Sequence, residues 1–348
     1  MKLKISVVIL FVFTFYLGVN AQSKLAENFS GTAGDTLGTY GWTSFSGGPI
    51  NPVKFVSPGL SFPNYALSGI GLAGRMANSG EDYYKQFSGD SVTSGSVYVS
   101  FMVNVYSVKT GDYFIALLPP TSTTLYTSRF YIKDTSGVGL LFGISKGAAS
   151  GGPIVYTTSI YQLHTTYLVV FKYKFNSSAA DDEMSFYVFN TTFPSVEPST
   201  PTLGPVTGTV SDATSLGRLG LRQGSAASSP TLVIDGICVA INWLTMVGVK
   251  QIGTVVEKFS LSQNYPNPFN PVTNIKFAIP SNGTAKLSVY NALGQQVQSL
   301  LNGEINAGTY SVQFDGTKLN SGLYFYKLEL NSNDGKYFSD VKKLMLVK

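Results

Sequence analysis

The chain has 348 residues and a net charge of +5; only 12% of residues are charged, about half the share in an ordinary soluble domain, whereas aromatics reach 13%, with 21 Tyr and 23 Phe against 2 Trp. That much apolar and aromatic surface excludes a disordered chain, the composition excludes a coiled coil, and no basic cluster recommends nucleic acid as a partner. A single cysteine, Cys238, and a single histidine, His164, rule out an internal disulfide framework and a Cys/His zinc centre, and leave Ser-His-Asp or Cys-His catalysis without a supporting motif.

At the front, Lys2 and Lys4 precede an apolar run of about 13 residues at 5–17, and Val19 and Ala21 put small residues at the −3 and −1 positions before Gln22. The run is shorter than the roughly 20 residues a bilayer span needs. The pattern therefore predicts a secretory signal peptide over 1–21, and no transmembrane segment in the mature chain.

From 22 to 244 the sequence alternates with period two. Val97, Val99, Phe101, Val103 and Val105 share one face, with Ser100 and Asn104 opposite. Tyr167, Val169, Phe171, Tyr173 and Phe175 repeat the pattern against Lys172 and Lys174, as do Met184, Phe186 and Val188, and Leu219 and Leu221 alternate with Arg218 and Arg222. Such runs predict antiparallel sheets packed on one side, with a hairpin loop at 176–182. About 220 residues is too much for an immunoglobulin-type sandwich of about 100 and fits a two-sheet jelly roll. The stretch 245–258 has no aromatic and little alternation, and is expected to be a linker. Beyond it, 259–348 is punctuated by Asn282-Gly283, Asn302-Gly303, Asp315-Gly316 and Asp334-Gly335, dipeptides that supply tight hairpin turns. Short alternating runs between them predict a compact immunoglobulin-like sandwich. The fold class expected is all-β throughout.

The end of the chain carries a specific set of blocks. Asn264, Tyr265, Pro266, Asn267, Pro268, Phe269, Asn270 and Pro271 form a proline-rich entry segment, in which fixed φ angles and missing donors force an extended path. Tyr265 and Phe269 are expected to anchor it to the sandwich. A turn at 291–294 ending in Gly294, then Gly322 with Tyr324, then Lys342 and Lys343 follow in order. Together these resemble the type A C-terminal sorting domain of the type IX (Por) secretion system. The resemblance implies passage by the Sec export machinery to the periplasm, recognition by the type IX translocon, and release from the cell or attachment at the outer-membrane surface, with no catalysis in the sorting domain itself.

The cargo region, through Glu27-Asn28-Phe29, Trp42, the runs at 96–105, 167–175 and 184–189, and the closing Asp235-Gly236-Ile237-Cys238-Val239, resembles concanavalin A-like and laminin-G-like jelly rolls. The resemblance implies that the first and last strands are neighbours.

Three chemistries compete for this region. Glycoside hydrolysis needs two carboxylates about 5 to 5.5 Å apart in retaining enzymes. Alternate acidic residues on one strand would supply them, but Glu81-Asp82 and Asp181-Asp182-Glu183 are consecutive, so no catalytic residue is expected. Calcium wants several oxygens. Asp181, Asp182 and Glu183, with Asp35, Asp112 or Asp235, are the available donors for a structural ion, but their spacing favours turn chemistry and no cofactor is expected. Carbohydrate binding needs aromatic faces outside the core, for which Trp42, Tyr83, Tyr84, Tyr126 and Tyr131 are the candidates. Arg75, Arg129, Arg218 and Arg222 form no cluster in sequence. His164 reads as a turn or strand-edge residue, and Cys238 as a buried thiol.

The sequence reading is thus an exported, non-enzymatic protein whose jelly roll binds a glycan or extracellular polymer. A polysaccharide-degrading enzyme of jelly-roll fold, or a structural envelope component, is the alternative.

Overall fold

The computed structural model describes residues 23–147, 153–208, 210–253, 256–317 and 319–348; the expected signal peptide lies outside them. The cargo strands are β1 (Ser23–Glu27), β2 (Thr43–Ser46), β3 (Lys54–Val56), β4 (Ala73–Met76), β5 (Asp82–Gln86), β6 (Ser96–Ser107), β7 (Asp112–Leu118), β8 (Thr127–Asp134), β9 (Leu140–Ser145), β10 (Val155–Tyr156), β11 (Thr166–Lys174), β12 (Glu183–Phe189), β13 (Leu203–Val206), β14 (Arg218–Leu221) and β15 (Thr231–Ala240).

They form two sheets. An eight-stranded sheet runs β13-β12-β11-β6-β15-β4-β3, with β1 also paired to β15, and a seven-stranded sheet runs β10-β9-β8-β7-β14-β5-β2. The first strand does lie against the last: Leu25, Ala26 and Glu27 pair with Val239, Cys238 and Ile237. The faces that alternation assigned to the interior meet between the sheets. Val97, Val99, Phe101, Val103, Tyr167, Val169, Phe171, Leu219 and Leu221 all lie in this core. Phe130 stands at its centre, 5.7 Å from Phe101, 6.0 Å from Phe171 and 5.2 Å from Phe186 between ring centroids. Aromatic pairs at these spacings add roughly 0.5–1.5 kcal/mol beyond the area they bury.

The eight-stranded sheet departs from the one-sided expectation. Its outer face carries a second apolar cluster, in which Tyr98, Met102, Leu168, Val170, Tyr187, Cys238 and Ala240 from the strands meet Phe62, Tyr65, Phe193, Trp243 and Met246 from the loops. Segments remote in sequence cover this face. Leu168 and Val170, on the side opposite Val169 and Phe171, are therefore as buried as their neighbours.

The last domain comprises β16 (Val249–Gly253), β17 (Ser260–Leu261), β18 (Val272–Ile279), β19 (Gly283–Asn291), β20 (Gln296–Ile305), β21 (Gly308–Asp315), β22 (Gly322–Ser332) and β23 (Tyr337–Leu346). Two four-stranded sheets, β16-β21-β18-β17 and β20-β19-β22-β23, enclose Phe277, Tyr310, Phe314, Tyr326 and Leu344. The stretch expected to be a linker is largely structured. Leu244–Val247 is a 3₁₀ turn, and β16 pairs with β21 as a strand of the last domain. Met246 packs into the outer cluster of the cargo sandwich, while Leu244 and Val247 pack against the core of the last domain. Among the described residues no helix is long and apolar enough to cross a membrane.

Candidate functional site

The outer face of the seven-stranded sheet differs from that of its partner sheet. Alternation along β5, β7, β8 and β14 sends Tyr83, Phe114, Phe130, Ile132, Leu219 and Leu221 into the core. The residues between them, Asp82, Tyr84, Tyr113, Arg129, Tyr131, Arg218 and Gly220, consequently stand on the other side. Among the described residues no second layer of loop aromatics closes over them.

Six rings run across this face. Centroid separations are 5.6 Å from Tyr84 to Phe45, 6.1 Å from Phe45 to Tyr126, 5.3 Å from Tyr126 to Tyr113, 5.5 Å from Tyr113 to Tyr131 and 6.4 Å from Tyr131 to Tyr156. One glycine lets a ring lie on the sheet: a Cβ at Gly143 would come within 2.6 Å of the Tyr156 ring.

Cations stack on these rings. Arg222 and Arg129 lie 4.4 and 5.0 Å from the centroid of Tyr113, Arg218 lies 4.2 Å from Tyr84, and Lys133 lies 4.0 Å from Tyr156. Contacts of this kind contribute about 0.5–1 kcal/mol when exposed and more when desolvated. Around the middle of the row, Phe45, Ser46, Asp82, Tyr113, Thr123, Thr124, Tyr126, Arg129 and Arg222 line a shallow cleft of about 470 Å³. Its acid, Asp82, accepts the Ser46 hydroxyl at 2.6 Å and the Gln223 N–H at 2.7 Å. Asp112 accepts from Ser228 and Ser229 at 3.0 Å and ion-pairs with Arg222 at 2.8 Å. The Asp112 contact holds Arg222 above the ordinary guanidinium range against its burial. Burial raises the phenols of Tyr113 and Tyr126, and brings Tyr156 up to about 12. All three are protonated donors at neutral pH.

Of the five aromatic residues proposed from sequence, Tyr84 and Tyr126 stand half-buried on this face and Tyr131 is in the row but 5% exposed, covered by Tyr113 and Tyr156. Trp42 and Tyr83 belong to the core instead. Trp42 donates its indole N–H to buried Glu27 at 2.8 Å, and the Tyr83 hydroxyl donates to Glu81. Phe45, Tyr113, Tyr156 and the four cations were missed. The alternation of Arg218 and Arg222 with Leu219 and Leu221 was the available signal. Their convergence with Arg129 depends on β14 lying beside β7, and β7 beside β8.

The acidic residues weighed for calcium divide differently. Asp181 and Asp182 come together with Asp212 rather than with Glu183, their oxygens within 4.8 Å of one another. Lys146, almost fully buried, ion-pairs with Asp212. Asp212 also accepts the N–H groups of Asp181 and Asp182, and Asp182 accepts from Tyr173 and from the N–H of Asn176. Glu183 pairs with Lys174, and Asp35 is engaged by Tyr40 and the N–H of Thr32. Asp235, fully buried, accepts the N–H groups of Leu60 and Gly236, and burial pushes its carboxyl up to about 7. His164 sits in a turn with its N–H on the carbonyl of Val105. Cys238 is buried and its thiol is pushed up to about 12.

In the last domain the entry segment is bound to the final strand. Asn267 accepts the N–H of Met345 at 2.9 Å, the Phe269 N–H donates to the Met345 carbonyl at 2.9 Å, and Val347 donates back to Phe269 at 3.0 Å. Asn264, 2% exposed, donates its N–H to the Tyr326 hydroxyl, and its amide donates to Pro266 and Thr273. Phe269 is an anchor, as expected; Tyr265 is not, being 82% exposed. The turn after Asn291 closes on Gly294 at φ +77°, with the Asn291 side chain accepting from Leu293 and Gln295. Tyr324 is buried with its hydroxyl on the carbonyl of Asn320, whereas Pro266, Pro268, Asn270 and Lys343 are exposed and Lys342, half-buried, pairs with Asp340 at 3.3 Å.

Residues 263–345 match the family described as the secretion system C-terminal sorting domain. The last sandwich is a sorting domain of this kind, and it marks the chain for secretion or surface attachment through the type IX route. No curated protein matches the chain. Among solved structures it is similar to the CBM2 module of a Lactobacillus casei BL23 phage J-1 evolved Dit protein, at 10% identity over 63% of this chain and 95% of that one, with a TM-score of 0.35. It is also similar to a glycosyl hydrolase family protein from Mycobacterium fortuitum, at 13% identity over 62% and 99% with a TM-score of 0.33. A β-1,3-glucanase from Mycobacterium marinum matches at 10% identity over 62% and 98% with a TM-score of 0.34. The expectation of a non-enzymatic chain is corrected by these matches. Sandwiches that carry hydrolase names stand among them.

Proposed function

We propose that this is an exported carbohydrate-engaging protein, delivered by its last domain and holding a saccharide chain across the outer face of the seven-stranded sheet. The observation that carries the reading is the uninterrupted row of six rings from Tyr84 to Tyr156 with guanidinium groups stacked on it. Sugar rings present apolar C–H faces to aromatic surfaces, while hydroxyls at their rims take hydrogen bonds from phenols and guanidinium groups. A shallow, open cleft suits a polymer entering and leaving from both sides.

Affinity electrophoresis of the purified chain through gels containing polysaccharides tests this. Retardation by at least one polymer is expected, and its loss in Tyr126→Ala. Unretarded migration through every polymer, by a folded protein, would refute it. Delivery is tested by deleting 259–348, which should strand the cargo in the periplasm; surface display of the truncated chain contradicts the assignment.

A second reading, hydrolysis at the same cleft, is favoured by Asp82, a carboxylate lining the cleft beside Tyr126 and Arg222. Release of reducing ends by the wild-type protein and its loss in Asp82→Asn would establish it.

A further inference from the structure

We propose that the saccharide held on this face is anionic, its carboxylate or sulfate groups seated by Arg218, Arg129, Arg222 and Lys133; this rests on the saccharide reading above and names its substrate class. The four cations are not scattered. Arg218 begins β14 and Arg222 follows its end, while Arg129 and Lys133 both lie on β8, and each strand neighbours β7. Residues four apart on a strand share a face and are separated by about 13 Å, and strands two apart by about 10 Å. The cations therefore form two columns flanking Tyr113, which Arg129 and Arg222 both contact.

Among the described residues neither Arg218 nor Lys133 is ion-paired with a carboxylate, whereas Arg222 is paired with Asp112. Arg218 is held by neutral acceptors, Gln86 through Nε at 2.8 Å and the Ser122 carbonyl through Nη1 at 3.0 Å. Lys133 rests on the Tyr156 ring. Stacking on a tyrosine fixes a guanidinium plane, and a planar guanidinium matches two oxygens of a carboxylate or sulfate at once. A neutral glycan uses only the rings and phenols and makes no use of the charges on Arg218 and Lys133. A polymer with acidic groups at regular intervals engages both columns.

The test compares binding of the purified chain to polygalacturonate, chondroitin sulfate and neutral laminarin. Affinity for at least one acidic polymer should exceed that for laminarin about tenfold and should fall as salt rises from about 0.1 to 1 M, where the screening length drops from about 10 to 3 Å. Preference for polygalacturonate identifies a carboxylate as the bound group, and preference for chondroitin sulfate identifies the sulfate. The double variant Arg218→Gln with Lys133→Gln should lose about tenfold in acidic-polymer affinity, while Lys54→Ala with Lys276→Ala, exposed lysines elsewhere, should leave it unchanged. An equal loss in both double variants would reduce the effect to overall charge and overturn the proposal. Binding laminarin as tightly as the acidic polymers, without salt dependence, would overturn it while keeping the saccharide reading; binding no polymer would overturn both.

Discussion

The two outer faces of the cargo sandwich are built from the same kind of residue and end in opposite states. On the eight-stranded sheet, aromatic and aliphatic side chains outside the core are roofed by loops, with Trp243 packed 5.0 Å from Phe193 and 5.3 Å from Tyr187. On the seven-stranded sheet, tyrosines in equivalent positions are topped by arginines and a lysine. An apolar face without a roof exposes a patch of the sort soluble proteins avoid unless it is used. Polar hydroxyls and stacked cations keep the open face hydrated while preserving aromatic surface. The difference separates a face that stabilises the fold from one that is free to bind.

Mutations can break this contrast. The largest effect is expected on the roofed face. Trp243→Ala should cost about 3–5 kcal/mol of unfolding free energy in urea titration, since it opens a cavity among Tyr98, Tyr187 and Phe193. A loss below about 1 kcal/mol would mean that the roof is loose and that the two faces are alike. Next comes Arg222→Ala, which strips Asp112 of its ion pair and should cost about 2 kcal/mol, less than a fully buried pair because both side chains keep partial solvent access.

Asp235, beneath the roof, offers a pH readout. Its folded carboxyl is raised to about 7, above its unfolded value near 4, so the folded state binds the extra proton between those limits. Stability should be greatest at the acidic end of this window and fall as pH rises from about 4 to about 7, then level off. In Asp235→Asn that slope in thermal midpoint should flatten; an unchanged slope would assign it to another group. The smallest stability effect is expected on the open face. Tyr126→Ala should change unfolding free energy by less than about 1 kcal/mol yet abolish polysaccharide retardation, whereas Trp243→Ala should retain binding while it remains folded.

Much of this molecule was legible in its residues. Alternation in 96–105, 167–175 and 218–222 placed the interior faces correctly, because a pleated strand permits only two sides. The sorting domain was legible because its blocks are local: Asn267 and Phe269 hold the last strand, and Gly294 closes a turn by its own backbone freedom. The same alternation could not say whether the side away from the core is covered. Leu168 and Val170 are buried only because Phe193 and Trp243, distant in sequence, close over that side. Trp42 and Tyr83 likewise looked equivalent to Tyr84 and Tyr126 until the core took up the first pair.

The sequence by itself determined an all-β chain of two sandwiches and its interior strand faces, which follow from periodicity and short-range turn chemistry, and its sorting domain, through the blocks by which it resembles that family. Only the tertiary structure decided which aromatic residues remain outside and which cations meet them. Sheet neighbours such as β7, β14 and β5 are not neighbours in sequence, and hydrogen-bonded strand order, rather than any local pattern, brings Tyr113, Arg129 and Arg222 to one place.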